Sequence, residues 1–204
     1  MHRRETTRTS TSLAGLRPPS TDLLAADGRL RVFADRAGLL AAVVADWYAD
    51  QHTPGGGGPM LAERGADTDL LNAAARALLH TDGTLTGPVL RACGREFQPR
   101  DQVITLTQAG HTLIPAGRPA RDYIRTGTIG TVTAVHPDRQ ALSVHFPGKG
   151  PVPVDPAYLT FPFPDGRDGG LAHAYAITAH KAEGATWTPP APSPSTTPAG
   201  RGCT

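Results

Sequence analysis

HAYAITAHKAEGAT, residues His173 to Thr186, is the stretch on which the reading of the fold turns. Ala174, Tyr175, Ala176 and Ile177 make an apolar, β-prone run that ends at Thr178. A short apolar run bounded by turn residues reads as a buried strand. The polar turn Thr178-Ala179-His180-Lys181 follows, and then Glu183-Gly184. A hydroxyl, an imidazole and an ammonium at a strand tip are all phosphate partners, and such contacts hold a nucleic-acid backbone without reading its bases. His180-Lys181 after a strand also reads, taken alone, as ordinary surface polarity.

Outward from this stretch the chain changes character several times. Residues 1–28 are polar and carry Arg3, Arg4, Arg8 and Arg17, a composition expected to form a disordered arm. RLRVFAD, residues 29–35, alternates as a short strand does. Leu39, Leu40, Val43, Val44 and Trp47 then recur at helical spacing. That period makes LLAAVVAD a helix rather than an acidic-ended strand. TPGGGGP, residues 53–59, breaks the chain. Met60-Leu61-Ala62 reads as a short buried strand, and Asp67 or Thr68 as the N-cap of a helix carrying Leu70, Leu71, Ala74, Ala77 and Leu78. Residues 81–95, with three glycines, read as loop.

From 96 to 160, apolar alternation takes over. DQVITLTQ, TIGTVTAVH and ALSVHF are strand candidates, joined in part by the turn chemistry of HPDRQ. VPVDPAYLT reads as a fourth, proline-limited edge strand. Short crowded strands suggest a small antiparallel barrel. FPFPDGRDGG reads as a linker, and residues 188–204 as a disordered tail.

Composition adds limits. The net charge of +2 makes no case by itself for nucleic acid. Lys149 and Lys181 are the only lysines among 20 basic residues, so a lysine kept in the polar turn stands out. Cys93 and Cys203 make no disulfide framework and read as free thiols in a reducing cytoplasm. No metal-ligand spacing occurs. No apolar run nears the roughly 18–20 residues of a membrane span, and the N-terminus lacks the apolar core of a signal peptide.

Three features in order resemble one family. PMLAERGADTDLLNAAARALL is similar to the strand and helix that open the second RecA-like domain of RecD-like superfamily 1 DNA helicases. The 96–160 region resembles the small Src-homology-3-like barrel inserted in that domain. LAHAYAITAHKAEGAT resembles their motif V, Thr-x-His-Lys-x-Gln-Gly. The likeness points most to conjugative relaxase-helicases of actinobacterial type and covers residues 29–186.

The resemblance implies an α/β fold: an incomplete RecA-like domain of the P-loop NTPase type, with the barrel inserted. Its pieces would be 29–95, the barrel at 96–160, and a return at 161–187. Thr178 and His180 would contact DNA phosphates or sugars, Lys181 would add charge near the backbone, and Glu183 and Gly184 would lie near the nucleotide. Arg121 and Arg125, with Arg118, Lys149, Tyr123 and His145, would line a DNA-facing side of the barrel, the alternative being a solvated rim. Asn72 and Arg76, a helical turn apart, would reach DNA or the motor core, or else belong to a helix with no such role. Thr126-Gly127 with Gly130 resembles the family's turn before a long strand, where glycine permits positive φ.

Departures narrow the expected function. No GxxxxGK[ST] occurs; Gly148-Lys149 is followed by Gly150. Nothing would then cradle β- and γ-phosphates or place a hydroxyl on Mg²⁺. No Walker B carboxylate pair is evident, and a Pro/Ser/Thr tail stands where motif VI is expected. Glu183 stands where the family has Gln, which removes a donor and adds repulsion near phosphate. The expectation is a cytoplasmic fragment that contacts single-stranded DNA and binds no cofactor alone. ATP and Mg²⁺ belong to the intact family, and a missing helicase half or relaxase is the expected protein partner. The alternatives are a non-enzymatic single-strand-binding module, a degenerate fragment, or a barrel that binds protein.

Overall fold

The computed structural model describes residues 31–51, 53, 57–108, 113–115, 117–119 and 122–183. The expected arm at 1–28, the tail at 188–204, Arg121 and Gly184 lie outside the described residues. Contacts divide the chain into Met1–Leu39 and Leu40–Thr204. In the first unit, residues 31–35 form no strand. Asp35 instead caps a helix, its Oδ1 accepting from the Gly38 N–H at 2.7 Å. Five residues of alternation that meet no pairing strand among the described residues do not make a ladder.

The helix that Asp35 opens, α1, spans Arg36–Gln51. Its Val44 and Trp47 are buried, as the 3.6-residue period predicts. Strand β1 (Met60–Ala62) follows, then helix α2 (Gly65–Thr81). The N-cap of α2 is Arg64, with extended dihedrals and no side-chain cap, rather than Asp67 or Thr68. Thr68 sits inside the first turn and donates its hydroxyl back to the Arg64 carbonyl at 3.1 Å.

The segment read as loop contains a hairpin. Strands β2 (Leu90–Ala92) and β3 (Arg95–Phe97) pair antiparallel across Cys93-Gly94. Cys93 and Gly94 both take positive φ, 47° and 70°, as a two-residue hairpin turn matched to strand twist requires. An X-Gly dipeptide flanked by three-residue strands was the available signal.

Strands β4 (Gln102–Thr105), β5 (Ile129–His136), β6 (Ala141–Phe146) and β7 (Gly150–Val154) form an antiparallel sheet. VPVDPAYLT does not continue as strand past Val154. Asp155 accepts from the Tyr158 N–H at 2.8 Å and caps the single-turn helix α3 (Pro156–Leu159), where Pro156 suits the first position. Gly127 takes φ 82°, as a turn glycine does. Gly130 has another reason to be glycine: it lies in β5, where a Cβ would fall 2.7 Å from the Phe146 ring.

The decisive stretch makes two strands. Strand β8 (Leu171–His173) runs antiparallel to β4 and completes the sheet order β7-β6-β5-β4-β8, so the sheet takes its fifth strand from beyond residue 160. Strand β9 (Ala176–Thr178) leaves that sheet and pairs parallel with β1, Ala62 opposite Thr178. The transfer happens at Ala174-Tyr175. The Ala174 N–H still donates to Gln102 in the first sheet, while the Tyr175 carbonyl already accepts from the Met60 N–H, at 2.9 and 2.7 Å.

Three apolar clusters follow this topology. Phe97, Val103, Val132, Val144, Phe146, Val152, Tyr158 and Leu171 belong to one under the five-stranded sheet. Val44, Trp47, Met60, Leu71, Ala75, Leu79, Tyr175 and Ala176 belong to the one under α1 and α2. Ile104, Ile129, Ala174 and Ile177 make a third at the transfer point. The fold is thus mixed α/β with an antiparallel sheet and a parallel strand pair. Among the described residues no helix is long and apolar enough to cross a membrane.

Candidate functional site

Thr178 ends β9 and begins the short helix α4 (Ala179–Ala182). Its hydroxyl is already engaged as the cap, accepting from the Lys181 N–H at 3.4 Å. The cap turns Lys181 back toward α2, where it lines a groove of about 700 Å³. One wall of the groove is the face of α2 that carries Thr68, Asn72 and Arg76. The opposite side holds Arg95 of the hairpin and Phe163 and Arg167 of the 161–170 segment. The floor comes from β8 and β9. The groove lies beyond the carboxyl ends of parallel β1 and β9, where α/β sheets place their ligands.

Two polar devices hold the wall and floor together. Asn72 is buried and clips β9: its Nδ2 donates to the Ala176 carbonyl at 3.0 Å, and its Oδ1 accepts from the Ala176 N–H at 2.9 Å. The side chain amide does for β9 what a neighbouring strand would do. Arg76 is buried as well. Its Nε and Nη2 donate to the Asp101 carboxylate at 2.9 and 3.1 Å, and Nη2 also reaches Gln98 Oε1 at 3.2 Å.

Asp101 has no solvent exposure and is correspondingly well partnered. It accepts from the Tyr175 hydroxyl and the Gln98 N–H, both at 2.7 Å. Burial first, then the Asp101 charge and the bond to it, push the Tyr175 phenol far above its ordinary pKa. His173 Nε2 lies 2.8 Å from the Glu96 carbonyl, which can only accept, so the ring proton sits on Nε2. Burial pulls the His173 pKa down against the opposing Asp101 charge.

Asn72 and Arg76 therefore tie α2 to β9 and to the start of β4. Of the two sequence readings, a reach to DNA or the motor core or a helix with no such role, neither names what the structure shows: Asn72 and Arg76 line the groove while their polar atoms bond to Ala176, Asp101 and Gln98. Asp101 and Tyr175 were not singled out in the sequence. A buried carboxylate and the arginine 25 residues before it carry no local signature.

Of the sequence-expected site residues, Thr178 and Lys181 line the groove. His180 and Glu183 are exposed and do not line it; the Glu183 N–H closes α4 by donating to the Ala179 carbonyl. Arg125 is exposed and does not line the groove, and its carbonyl accepts from Thr105 Oγ1 at 2.7 Å. Arg118, His145 and Lys149 are exposed and also lie outside the lining. In their place the fold supplies Arg95 and Arg167. Lys181 is half-buried and has its pKa lowered, by desolvation first and then by Arg167 and Arg95, with Asp69 opposing. A half-buried ammonium whose charged form is disfavoured by burial and by two nearby guanidinium groups is an electrostatic arrangement that an anion relieves.

No family model matches the chain, and no curated protein matches it. Solved structures of Pif1 helicases do. Unliganded Pif1 from Bacteroides sp shares 15% identity at a TM-score of 0.36, over 62% of this chain and 43% of that one. Bacteroides Pif1 bound to ssDNA shares 14% at 0.39, over 77% and 43%. Pif1 helicase from Candida albicans shares 18% at 0.39, over 69% and 40%. The chain spans about two fifths of the length of the solved structures it matches.

Proposed function

We propose that this chain is the DNA-facing part of the second RecA-like domain of a superfamily 1 helicase, of RecD-like, conjugative relaxase type, and that its groove carries single-stranded DNA. The observation that supports this most is the placement of Thr178 and Lys181. The motif-like turn stands at the carboxyl end of a strand parallel to β1, with Lys181 half-buried in a groove flanked by Arg95 and Arg167. In this reading residues 96–160, which supply four of the five strands of the sheet, are the inserted Src-homology-3-like barrel, and the fifth strand comes from the returning RecA-like segment. Arg125 and His180 then meet DNA away from the groove, and Arg121 would add to the DNA contacts.

The residues present do not fit a nucleoside triphosphate with its magnesium. No GxxxxGK[ST] stretch occurs in the sequence, so no glycine-rich loop with its lysine is there to cradle the β- and γ-phosphates. ATP hydrolysis is therefore assigned to a partner half and not to this chain. The missing phosphate-cradling loop also favours a second reading, a non-enzymatic single-strand-binding module built on the same groove.

The test is fluorescence anisotropy on an oligo-dT strand across a salt series, with ATP turnover measured alongside. Affinity that falls linearly with the logarithm of salt is expected for a phosphate track. Robust ATP turnover by the purified chain refutes the assignment of chemistry elsewhere. Absence of binding at low salt refutes the track. A helicase-like reading frame beside this one separates the split motor from the accessory module.

A further inference from the structure

Arg95, Arg167 and Phe163 belong to neither the motif-like turn nor the buried Asp101 network, yet all three line the groove with Lys181. They arrive on separate elements: the β2–β3 hairpin, the 161–170 segment and α4. Arg95 donates Nη1 to the Asp168 carbonyl at 3.3 Å, and among the described residues neither it nor Lys181 pairs with a carboxylate. Arg167 is different. Asp165 holds it at 2.7 Å, and its guanidinium lies over the Phe163 ring at 5.2 Å. Phe163 is half-buried and braced by Phe161, edge to face at 5.1 Å and 81°. Pro162 and Asp168 bridge the two sides of this segment, which is a pinned loop and not a slack linker. Asp69 and Asp168 are exposed carboxylates on the same groove and set a limit on how much anionic charge it draws.

An aromatic ring stiffened from two sides, with cations beside it that lack carboxylate partners, matches the two halves of a nucleotide. The base stacks on the exposed Arg167 guanidinium that lies over the ring, because every base has a π-face; the phosphate takes Arg95 and Lys181. We infer that Phe163 and Arg167 form a base-stacking platform beside a phosphate seat made by Arg95 and Lys181, so that the groove grips one nucleotide unit of single-stranded DNA through both its base and its phosphate. This rests on the reading of the groove as a DNA track and adds to it a base contact.

The experiment compares an oligo-dT strand with an abasic strand of equal length, using the full chain and anisotropy over a salt series. The wild-type chain binds the dT strand more tightly. Phe163→Ala weakens dT binding by about 5- to 140-fold, the range for losing one stacked base, and leaves abasic binding unchanged. Phe163→Trp keeps the preference for dT, which guards against a variant that merely misfolds. Arg95→Ala weakens both strands alike and lowers the salt slope by about 0.7, as loss of one single-strand phosphate contact does. Equal loss on both strands for Phe163→Ala, or no loss on either, overturns the platform while the DNA track stands. Failure of the wild-type chain to bind either strand at low salt overturns the track and this inference with it.

Discussion

Asn72→Ala is the perturbation that best tests how β9, and with it the Thr178–Lys181 turn, is held. The wild-type amide makes two hydrogen bonds to Ala176, at 3.0 and 2.9 Å, and Ala176 has no solvent exposure. Alanine removes both bonds and leaves a buried N–H and a buried carbonyl without partners. A neutral hydrogen bond contributes about 1 kcal/mol net, but each orphaned buried group costs about 1–3 kcal/mol. Water reaching the vacated space recovers part of that, so the expected loss is about 2–4 kcal/mol. In a chain of this size each kcal/mol moves the melting midpoint by about 2–4 °C, giving a fall of about 4–16 °C. Asn72→Asp keeps the acceptor, loses the donor, and turns a carboxylate toward the Ala176 carbonyl, so it falls further than alanine. Urea unfolding followed by far-ultraviolet circular dichroism measures both. A loss under about 0.5 kcal/mol for alanine, the size of an ordinary surface change, or an aspartate variant as stable as wild type, refutes the clip.

Asp101→Ala strands the buried Arg76 guanidinium and is expected to cost about 3–5 kcal/mol, as breaking one side of a buried pair does; a urea midpoint close to wild type counts against the network. The folded pKa of His173 lies below that of the unfolded chain, so the unfolded state takes up the proton first. Its contribution is fully present above about pH 6.5 and is lost as pH falls through the folded value. His173→Gln should therefore flatten the stability profile between about pH 5 and pH 7, and matching slopes for the two proteins exclude the effect. Gly130→Ala places a Cβ 2.7 Å from the Phe146 ring and 2.8 Å from the His145 carbonyl. Overpacking of this kind costs about 1–3 kcal/mol, and an unchanged melting midpoint would show that β5 and β6 move apart freely.

Periodicity found the elements whose neighbours are their own sequence. The spacing of Val44 and Trp47 marks α1, and the alternation of Leu142, Val144 and Phe146 marks a strand of the sheet, because burial of one face writes itself into the chain at the period of the element. It failed where local order is imposed from outside. Residues 31–35 alternate but pair with no strand among the described residues. LRACGREF carries glycine and arginine like a loop, yet its Cys93-Gly94 pair takes the left-handed turn and closes a hairpin that Phe97 anchors in the core. FPFPDGRDGG reads as linker by composition and is pinned by the Pro162–Asp168 bridge and the Asp165–Arg167 pair.

The site divides the same way. HAYAITAHKAEGAT announced from its residues that a strand ends in a hydroxyl, an imidazole and an ammonium, and this needed no fold. Sequence could not say that the strand is two, that Tyr175 hands the chain from one sheet to the other, or that Thr178 spends its hydroxyl on a cap. Nor could it choose among 18 arginines the two that meet Lys181. Which side chains share a groove depends on contacts between residues 70 to 100 positions apart. Such contacts leave no period in the chain, because they are decided by which strand pairs with which and not by the spacing of residues along either one.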